Sequence, residues 1–207
     1  MQINVTNPNL RMALELVTAP ANPPLFLADV KDHLRVLSND EDQLILGLME
    51  VVRQRLDGRD GYLGRALLTQ TWDCWIDWNF PPDICPIEMQ LAPLQSVTFI
   101  KYIDPDGNQQ TVDASVYTVD TKSTRSRILT AYNQYWPPCR FIINAVQIRG
   151  IFGYGATPND VPQPIRQAML MMIGHLYENR EQSSSLTIKE IPYGVDHLLA
   201  NYRLGRF

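Results

Sequence analysis

The stretch Gln70-Thr-Trp-Asp-Cys-Trp-Ile-Asp-Trp78 decides how the rest of this sequence is interpreted. Apolar side chains occupy every second position of it, at Trp72, Cys74, Ile76 and Trp78. A period of two places alternate side chains on opposite faces of an extended chain, so the pattern predicts a strand with one apolar face. Trp75 falls on the other face, between Asp73 and Asp77. There it is either an exposed binding residue or, if twist or a bulge turns it inward, part of the core.

Further short strands are predicted on the C-terminal side of this stretch. Apolar segments bounded by turn residues lie at 87–91, 97–103, 111–112, 117–119, 127–130 and 142–152. Asp104-Pro-Asp-Gly107 predicts a turn between two of them, because Pro suits the second turn position and Gly a positive φ. The sequence therefore predicts a small antiparallel β domain over residues 67–155.

Helical periodicity precedes this region. A strand at 12–17 and a proline-rich linker at 18–24 lead to a short helix at 27–36. A longer helix then opens at Asp40-Glu-Asp42, where acidic side chains suit the positive end of the helix dipole. Its predicted apolar stripe repeats every four residues, at Leu44, Leu48, Val52 and Leu56, with Ile45 and Met49 beside them.

Helical periodicity also follows the β region. A segment at 165–180 is apolar on more than one side, and a short helix is expected at 195–202. The predicted fold class is α+β, mainly an α-helical bundle with an inserted small antiparallel β domain. Residues 1–66 would supply the N-terminal strand, linker and first bundle helices, and residues 156–207 the C-terminal bundle helices and tail.

The composition limits the classes of function. In a chain of 207 residues, 45% are apolar, which is enough for a substantial core. The net charge of −4 argues against a basic face that binds nucleic acid tightly, although it does not exclude contact with DNA that slides past. The three cysteines form no Cys-x-x-Cys pair and are expected to be reduced thiols. No secretion signal and no bilayer-spanning stretch is found, so synthesis and folding in the cytoplasm are expected.

The sequence predicts no catalytic residue, no metal site and no cofactor. Asp104, Asp106 and Asn108 resemble the start of a calcium loop but lack its later ligands, so a hairpin turn is preferred. The glycines of 150–155 have neither the spacing of a dinucleotide-binding Rossmann loop nor the Lys-Ser/Thr of a P-loop. Asp73 and Asp77 are expected to be solvated, so they are weak candidates for the two catalytic carboxylates of a glycosidase. The histidines have no metal-ligand spacing and lie at His33, His175 and His197.

One alternative function uses the tryptophans. Trp72, Trp75 and Trp78 would form a stacking platform in a carbohydrate- or receptor-binding module of a virion. Strand parity argues against it, because Trp75 lies on the face opposite to the other two. A hydrolase is a third possibility, for which the sequence offers no nucleophile and base.

The order of the motifs resembles a known family, the head–tail connector or adaptor proteins of tailed phages, including those of gene transfer agents. The resemblance extends over nearly the whole chain after about residue 18. The matching segments are Leu27-Ala-Asp-Val-Lys-Asp-His-Leu-Arg35, Asp40-Glu-Asp42, Gly64-Arg-Ala-Leu-Leu-Thr-Gln-Thr-Trp72, Leu91-Ala-Pro-Leu-Gln-Ser-Val97, Tyr102-Ile-Asp-Pro-Asp-Gly107, Tyr117-Thr-Val-Asp120, Trp136-Pro137, Gly153-Tyr-Gly155, Val161-Pro162, Ile165-Arg-Gln-Ala168, Leu176-Tyr-Glu-Asn-Arg-Glu181 and Leu198-Leu-Ala-Asn-Tyr-Arg203.

The resemblance implies a structural protein of the virion that is not an enzyme. Such subunits form a ring, usually a dodecamer, beneath the portal protein and join it to a neck, stopper or tail protein. DNA passes through the ring without sequence-specific binding, and no membrane is involved.

Two sets of contact residues follow as hypotheses. A terminus with two cations and two aromatics has a composition suited to ordering on a partner. The residues proposed to bind the portal are Asn201, Tyr202, Arg203, Leu204, Arg206 and Phe207. A helix that is apolar on more than one side suits a subunit contact, and the residues proposed for that interface are Met169, Met172, Leu176 and Trp75.

Overall fold

The computed structural model describes residues 12–179 and 193–204. These residues form two compact units, each of which combines segments that are distant in the sequence. The sheet unit contains residues up to 19 together with 69–153. The helical unit contains residues 20–68 and the described residues from 154 onwards.

The larger sheet of the sheet unit has five strands, and every neighbouring pair is antiparallel. They are β1 (Met12–Thr18), β2 (Gln70–Ile76), β4 (Leu94–Ile103), β5 (Gln109–Thr111) and β8 (Val146–Phe152). The strand order is β1-β2-β8-β4-β5, which places β2 and β8 in the interior and β1 and β5 at the edges.

A smaller sheet of three strands completes the unit. It consists of β3 (Ile87–Glu88), β6 (Tyr117–Asp120) and β7 (Arg127–Thr130), in the order β3-β7-β6. The predicted turn between β4 and β5 is confirmed: the Asp104 backbone N–H donates to the Asn108 carbonyl at 2.9 Å. Gly107 adopts a φ of 97° in it, a conformation that favours glycine.

Strand alternation gives the larger sheet its buried face. Cys74 is opposite Ile148, which is in turn opposite Ile100, and all three are fully buried. The predicted apolar face of β2 is therefore confirmed at Cys74 and Ile76. It does not extend to Trp78, which lies beyond the end of β2 and is 39% exposed.

The described part of the helical unit contains four α-helices: α1 (Leu27–Leu34), α2 (Asp42–Leu56), α3 (Gln163–Glu178) and α4 (Tyr193–Leu199). Helix α2 packs against α3, and residues of all four helices contribute to one apolar core. The buried residues of α2 are Ile45, Met49, Val52 and Leu56. These belong to the predicted stripe, and Leu48 is half-buried against the same core, whereas Leu44 is 40% exposed. Positions 44 and 45 both begin a plausible apolar stripe, and only the packing of the helix selects one of them.

The prediction of a mainly α-helical bundle with a small β insertion is wrong. The described residues contain eight strands, and the five-stranded sheet has a buried face of its own. In particular β1, which was grouped with the N-terminal helices, pairs with β2 from Met12 opposite Ile76 onward. A strand pattern indicates extended backbone but not which distant strand completes the ladder. The predicted division of the chain into the regions 1–66, 67–155 and 156–207 stays a prediction.

Candidate interaction surfaces

The second face of the five-stranded sheet carries charged and aromatic side chains in register. One row crosses four strands, because Glu15 is opposite Asp73, Asp73 opposite Arg149, and Arg149 opposite Phe99. Cross-strand neighbours of this kind have Cβ atoms about 5 Å apart, so their side chains interact directly. The face is therefore an organised polar surface.

Asp73 is the best-connected residue of this row. Arg149 holds it with two parallel bonds, Nε to Oδ1 and NH2 to Oδ2, each 2.7 Å long, and Gln147 Nε2 donates to Oδ2 at 2.7 Å. Only 4% of Asp73 is exposed, so the expectation of a solvated carboxylate was wrong. Burial by itself would raise the pKa of Asp73, but the bonds from Arg149 and Gln147 outweigh it and lower the pKa below its ordinary value. Asp73 is thus a fixed anion with a structural role.

Trp75 lies on the same face and is half-buried. Its indole Nε1–H donates to Glu15 Oε2 at 3.3 Å. Trp72 is also half-buried, and its indole Nε1–H donates a hydrogen bond to Gln70 Oε1 at 2.9 Å. Trp78 instead stacks on Phe141, so the structure provides no shared platform of Trp72, Trp75 and Trp78.

Four large apolar side chains lie together where β2 ends and the chain approaches β8. We call this the sheet-end patch, and it consists of Trp78, Phe141, Ile142 and Ile143. Phe141 is 75% exposed and Ile143 66%. The strand pattern placed 142–143 in a strand and Trp78 on its apolar face and so gave no sign of this surface, although three consecutive large apolar residues at 141–143 indicate it.

The sheet-end patch is held in a fixed conformation. The Trp78 N–H donates to the Ile142 carbonyl at 2.8 Å, and the Asn144 N–H donates to Asp77 Oδ1 at 3.0 Å. The rings of Trp78 and Phe141 stack with centroids 4.6 Å apart. Trp78 has a φ of 73°, which is rare for a bulky residue and persists only where surrounding contacts impose it. The apolar side chains are therefore exposed by the fold and not by a loose loop.

A second exposed apolar surface lies on α2. We call it the α2 face, and it consists of Leu44, Gly47 and Val51, which share one side of the helix by their spacing. Val51 is 54% exposed, and no atom lies within 4 Å of the position that a Cβ on Gly47 would occupy. Nothing within the described part of the chain fills the space above Gly47.

The residues predicted for the subunit interface occupy different environments. Met169 is 1% exposed and Met172 7%, both in the core of the helical unit, which leaves almost no side-chain surface for a second subunit. Leu176 is half-buried against that core, and Trp75 lies on the polar face of the sheet. The interface role of all four stays a prediction.

The predicted portal-binding segment is partly integrated into the helical unit. Arg65 Nε donates to the Tyr202 carbonyl, the Leu204 N–H donates to the Leu63 carbonyl at 2.9 Å, and the Arg203 guanidinium lies 4.6 Å from the Tyr62 ring centroid. Asn201 is exposed at the start of this segment, and Arg206 and Phe207 lie outside the described residues. Residues 202–204 therefore stabilise the fold, and the portal-binding role of the segment stays a prediction.

The described residues contain no group of three or more His, Cys, Asp or Glu side chains that could hold a metal ion. The three histidines are distributed over α1, α3 and α4. Gly150 lies within β8, against the Phe152 ring and Leu94, and does not line a phosphate loop. Among the helices that the structure describes, none is both long and apolar enough to cross a membrane.

The three thiols differ in accessibility, and this predicts their reactivity. Cys74 and Cys85 are buried, whereas Cys139 is half-buried. Burial raises the pKa of the Cys139 thiol to about 11. Since an ordinary cysteine has a pKa near 8.5, the thiolate fraction of Cys139 at pH 8 should be lower by about two orders of magnitude.

We therefore expect the folded chain to be nearly inert to iodoacetamide at pH 8. Mass spectrometry of the intact protein over time measures this, with the urea-unfolded chain as the control that reacts at all three positions. Rapid labelling of the folded chain at Cys139 would contradict the buried environment of this thiol.

The comparisons with known proteins find the fold among solved structures. No family model and no curated protein matches the chain. A chain in the neck of an empty gene transfer agent (GTA) particle, computed with C6 symmetry, is similar with a TM-score of 0.73 and 24% identity, over 94% of this chain and 97% of that one.

Two further structures agree. A chain of the virion of a native GTA particle is similar with a TM-score of 0.67 and 22% identity, over 94% of this chain and 96% of that one. A chain in the neck of a native GTA particle, computed with C12 symmetry, has a TM-score of 0.66 and 22% identity, over 94% of this chain and 97% of that one. The chain therefore shares its fold, over nearly its full length, with chains of GTA necks and virions.

Proposed function

We propose that this chain is a structural subunit of the neck of a phage-like particle, acting as a head–tail connector. One observation carries the proposal: the whole chain, and not one of its units alone, has the fold of chains found in GTA necks. A fold by itself can serve many functions, so the proposal also needs surfaces suited to assembly. The sheet-end patch and the α2 face are such surfaces.

The proposed assembly is a ring of twelve copies. The similar neck structures were computed with C6 and C12 symmetry, which suits a ring whose copy number is a multiple of six. A closed ring joins one face of each subunit to a different face of the next. Exposed apolar surfaces at two separate places on the chain meet that requirement.

The proposed partners are those of a connector. The ring would lie beneath the portal protein, with residues 201–207 reaching the portal, and would bind a neck, stopper or tail protein on its other side. DNA would pass through the channel without sequence-specific contacts. The net charge of −4 supports this, because a protein with few basic side chains does not hold DNA by its phosphates. The proposed role needs no catalysis and no cofactor.

Mass measurement of the assembled particle tests this function. We expect the purified chain to be monomeric and to join a portal ring as a discrete complex. Twelve copies of the 23.7 kDa chain would add about 284 kDa to the portal, which native mass spectrometry or mass photometry resolves. Serum albumin at the same concentration controls for non-specific addition.

A chain that stays monomeric with the portal at micromolar concentration would contradict the connector function. The carbohydrate- or receptor-binding module would then be the next candidate, with half-buried Trp75 on the polar sheet face as its binding residue. A glycan-array measurement with a Trp75→Ala control would test that alternative.

A further inference from the structure

We propose that residues 2–6 add a sixth strand to the larger sheet by pairing antiparallel with the outer edge of β1. Residues 1–11 lie outside the described part of the chain. Two features support the pairing: the edge that β1 presents, and the sequence that leads directly into β1. The added strand belongs to the free subunit and goes beyond the proposed connector function.

The outer edge of β1 carries hydrogen-bonding groups that can take a partner. Among the described residues β1 pairs only with β2, and it forms one margin of the five-stranded sheet. Alternate residues of an edge strand direct their backbone N–H and C=O groups away from the sheet. Lysine and proline commonly protect such an edge, and β1 contains neither. The edge is therefore a site to which a further strand can add.

The apolar face of the sheet is incomplete along this edge. Met12 is opposite Ile76 and Leu14 opposite Cys74, which places both on the buried face. Burial decreases along β1 on that face, since Met12 is 7% exposed, Leu14 is half-buried and Leu16 is 45% exposed. A strand with apolar side chains on the same face would cover this margin through cross-strand contacts.

The segment 2–6 has the pattern of such a strand. Gln2-Ile-Asn-Val-Thr6 alternates polar and apolar side chains, and isoleucine, valine and threonine are favoured in strands. Asn7-Pro-Asn9 follows, and asparagine and proline are residues that tight turns prefer. Two strand patterns separated by a short turn signal predict a β-hairpin whose second strand is β1.

The faces of the side chains select one register for this hairpin. A loop of two or four residues centred on the Pro8–Asn9 bond places Ile3 opposite Leu14 and Val5 opposite Met12, so that both extend the buried face. A loop of three residues shifts the pairing by one position and turns both apolar side chains onto the polar face. The register with the even loop is the one we assign.

The covalent connection favours this segment over the same segment of another copy. A strand joined through a loop of a few residues is held near the edge at an effective concentration that is roughly millimolar. A second copy at micromolar concentration therefore competes poorly for the edge. The occupant of the β1 edge in the free subunit is thus its own chain.

Disulfide formation in the full chain tests the pairing. Gln2→Cys with Glu15→Cys places two thiols opposite each other in the assigned register, whereas Gln2→Cys with Leu16→Cys places them on opposite faces and is the matched control. Under mild oxidation we expect an internal disulfide between positions 2 and 15, formed at least ten times faster than in the control. Glu15 and Leu16 are both exposed, so the oxidant reaches them equally.

Peptide mass spectrometry without reduction identifies the link and its occupant. A monomeric chain with a disulfide between positions 2 and 15 supports the proposal. Dimers that join position 2 of one copy to position 15 of another show that a second copy supplies the strand, and they overturn it. Equal rates in the two variants also overturn it. No portal is needed for these measurements, so their outcome is separate from that of the connector function.

Hydrogen exchange gives a second readout that uses no added cysteine. Val5→Asp should accelerate amide exchange in residues 2–6 at least tenfold, because it places a charge on the apolar face. Asn4→Asp adds the same charge on the polar face and should leave exchange within about twofold of the unmodified chain. Equal acceleration by both variants would contradict the assigned register. Exchange of residues 2–6 in the unmodified chain at the rate of a free peptide would overturn the added strand.

Discussion

Replacing Asp73 with alanine is expected to destabilise the sheet unit by about 2 kcal/mol, because it removes three hydrogen bonds to a buried carboxylate, while Arg149, whose side chain is 31% exposed, keeps part of its hydration. Asp73 accepts two bonds from Arg149 and one from Gln147. It lies in β2, an interior strand, with hydrogen-bonded neighbours on both sides. The lost contacts therefore connect two strands at the centre of the sheet.

Urea unfolding followed by tryptophan fluorescence measures this effect. Every one of the 4 tryptophans belongs to the sheet unit, so the fluorescence reports that unit. Arg127→Ala is the matched control, since it removes an ion pair to Asp120 in the same unit whose side chains are 50% and 30% exposed. An exposed pair of this kind contributes about 1 kcal/mol or less. Equal effects of Asp73→Ala and Arg127→Ala would contradict the structural role of Asp73.

The effect of Asp73 should depend on pH in one direction. The pKa of Asp73 is lowered in the folded chain, so its contribution is complete above the unfolded pKa near 4 and disappears as the pH falls through the folded value. The difference in unfolding free energy between the unmodified chain and Asp73→Ala should thus be constant between pH 6 and 8 and shrink below about pH 4. A difference that grew on acidification would show that Asp73 is protonated in the folded state.

Truncation after Ala200 is expected to destabilise the helical unit by about 2–4 kcal/mol, because it removes acceptors and packing that buried groups require. The deletion takes away the Tyr202 carbonyl bonded by Arg65, which is 8% exposed. It also removes Leu204, whose N–H donates to the Leu63 carbonyl and whose side chain lies against Gly64.

Truncation after Leu204 is the matched comparison. It keeps every contact of residues 201–204 and removes only the last three residues, which include Arg206 and Phe207. We expect unchanged unfolding, followed by circular dichroism at 222 nm, together with weakened portal binding. If this shorter truncation binds the portal as the full chain does, residues 205–207 are not part of the portal contact. If truncation after Ala200 leaves the unfolding midpoint unchanged, the packing of 202–204 contributes no stability.

The sequence predicted local structure well where the pattern was decided by neighbouring residues. The alternation at Cys74 and Ile76 requires an extended strand with one buried face. Asp104-Pro-Asp-Gly107 requires a tight turn, and the helical segments that became α2 and α3 were identified by their periodicity. The resemblance to a neck protein of phage-like particles agrees with the fold that the chain shares with chains of GTA necks, whereas the helical bundle that it implied was wrong.

The same reasoning failed where the outcome depended on distant partners. Burial of Asp73 depends on Arg149, which is 76 residues away and reaches it only through the pairing of β2 with β8. The exposed sheet-end patch arises because β2 ends before Trp78, and the alternation of side chains gives no indication of where a strand ends.

The sequence by itself determined the strands, the turn and the helices, because each depends on residue type and on contacts within one or two turns of the chain. Only the tertiary structure decided that β1 completes a five-stranded sheet, that Asp73 is buried as an anion, and that Trp78 joins Phe141 at the surface. These features come from pairing energies between segments separated by tens of residues, and many pairings satisfy the same local pattern until the whole chain has packed.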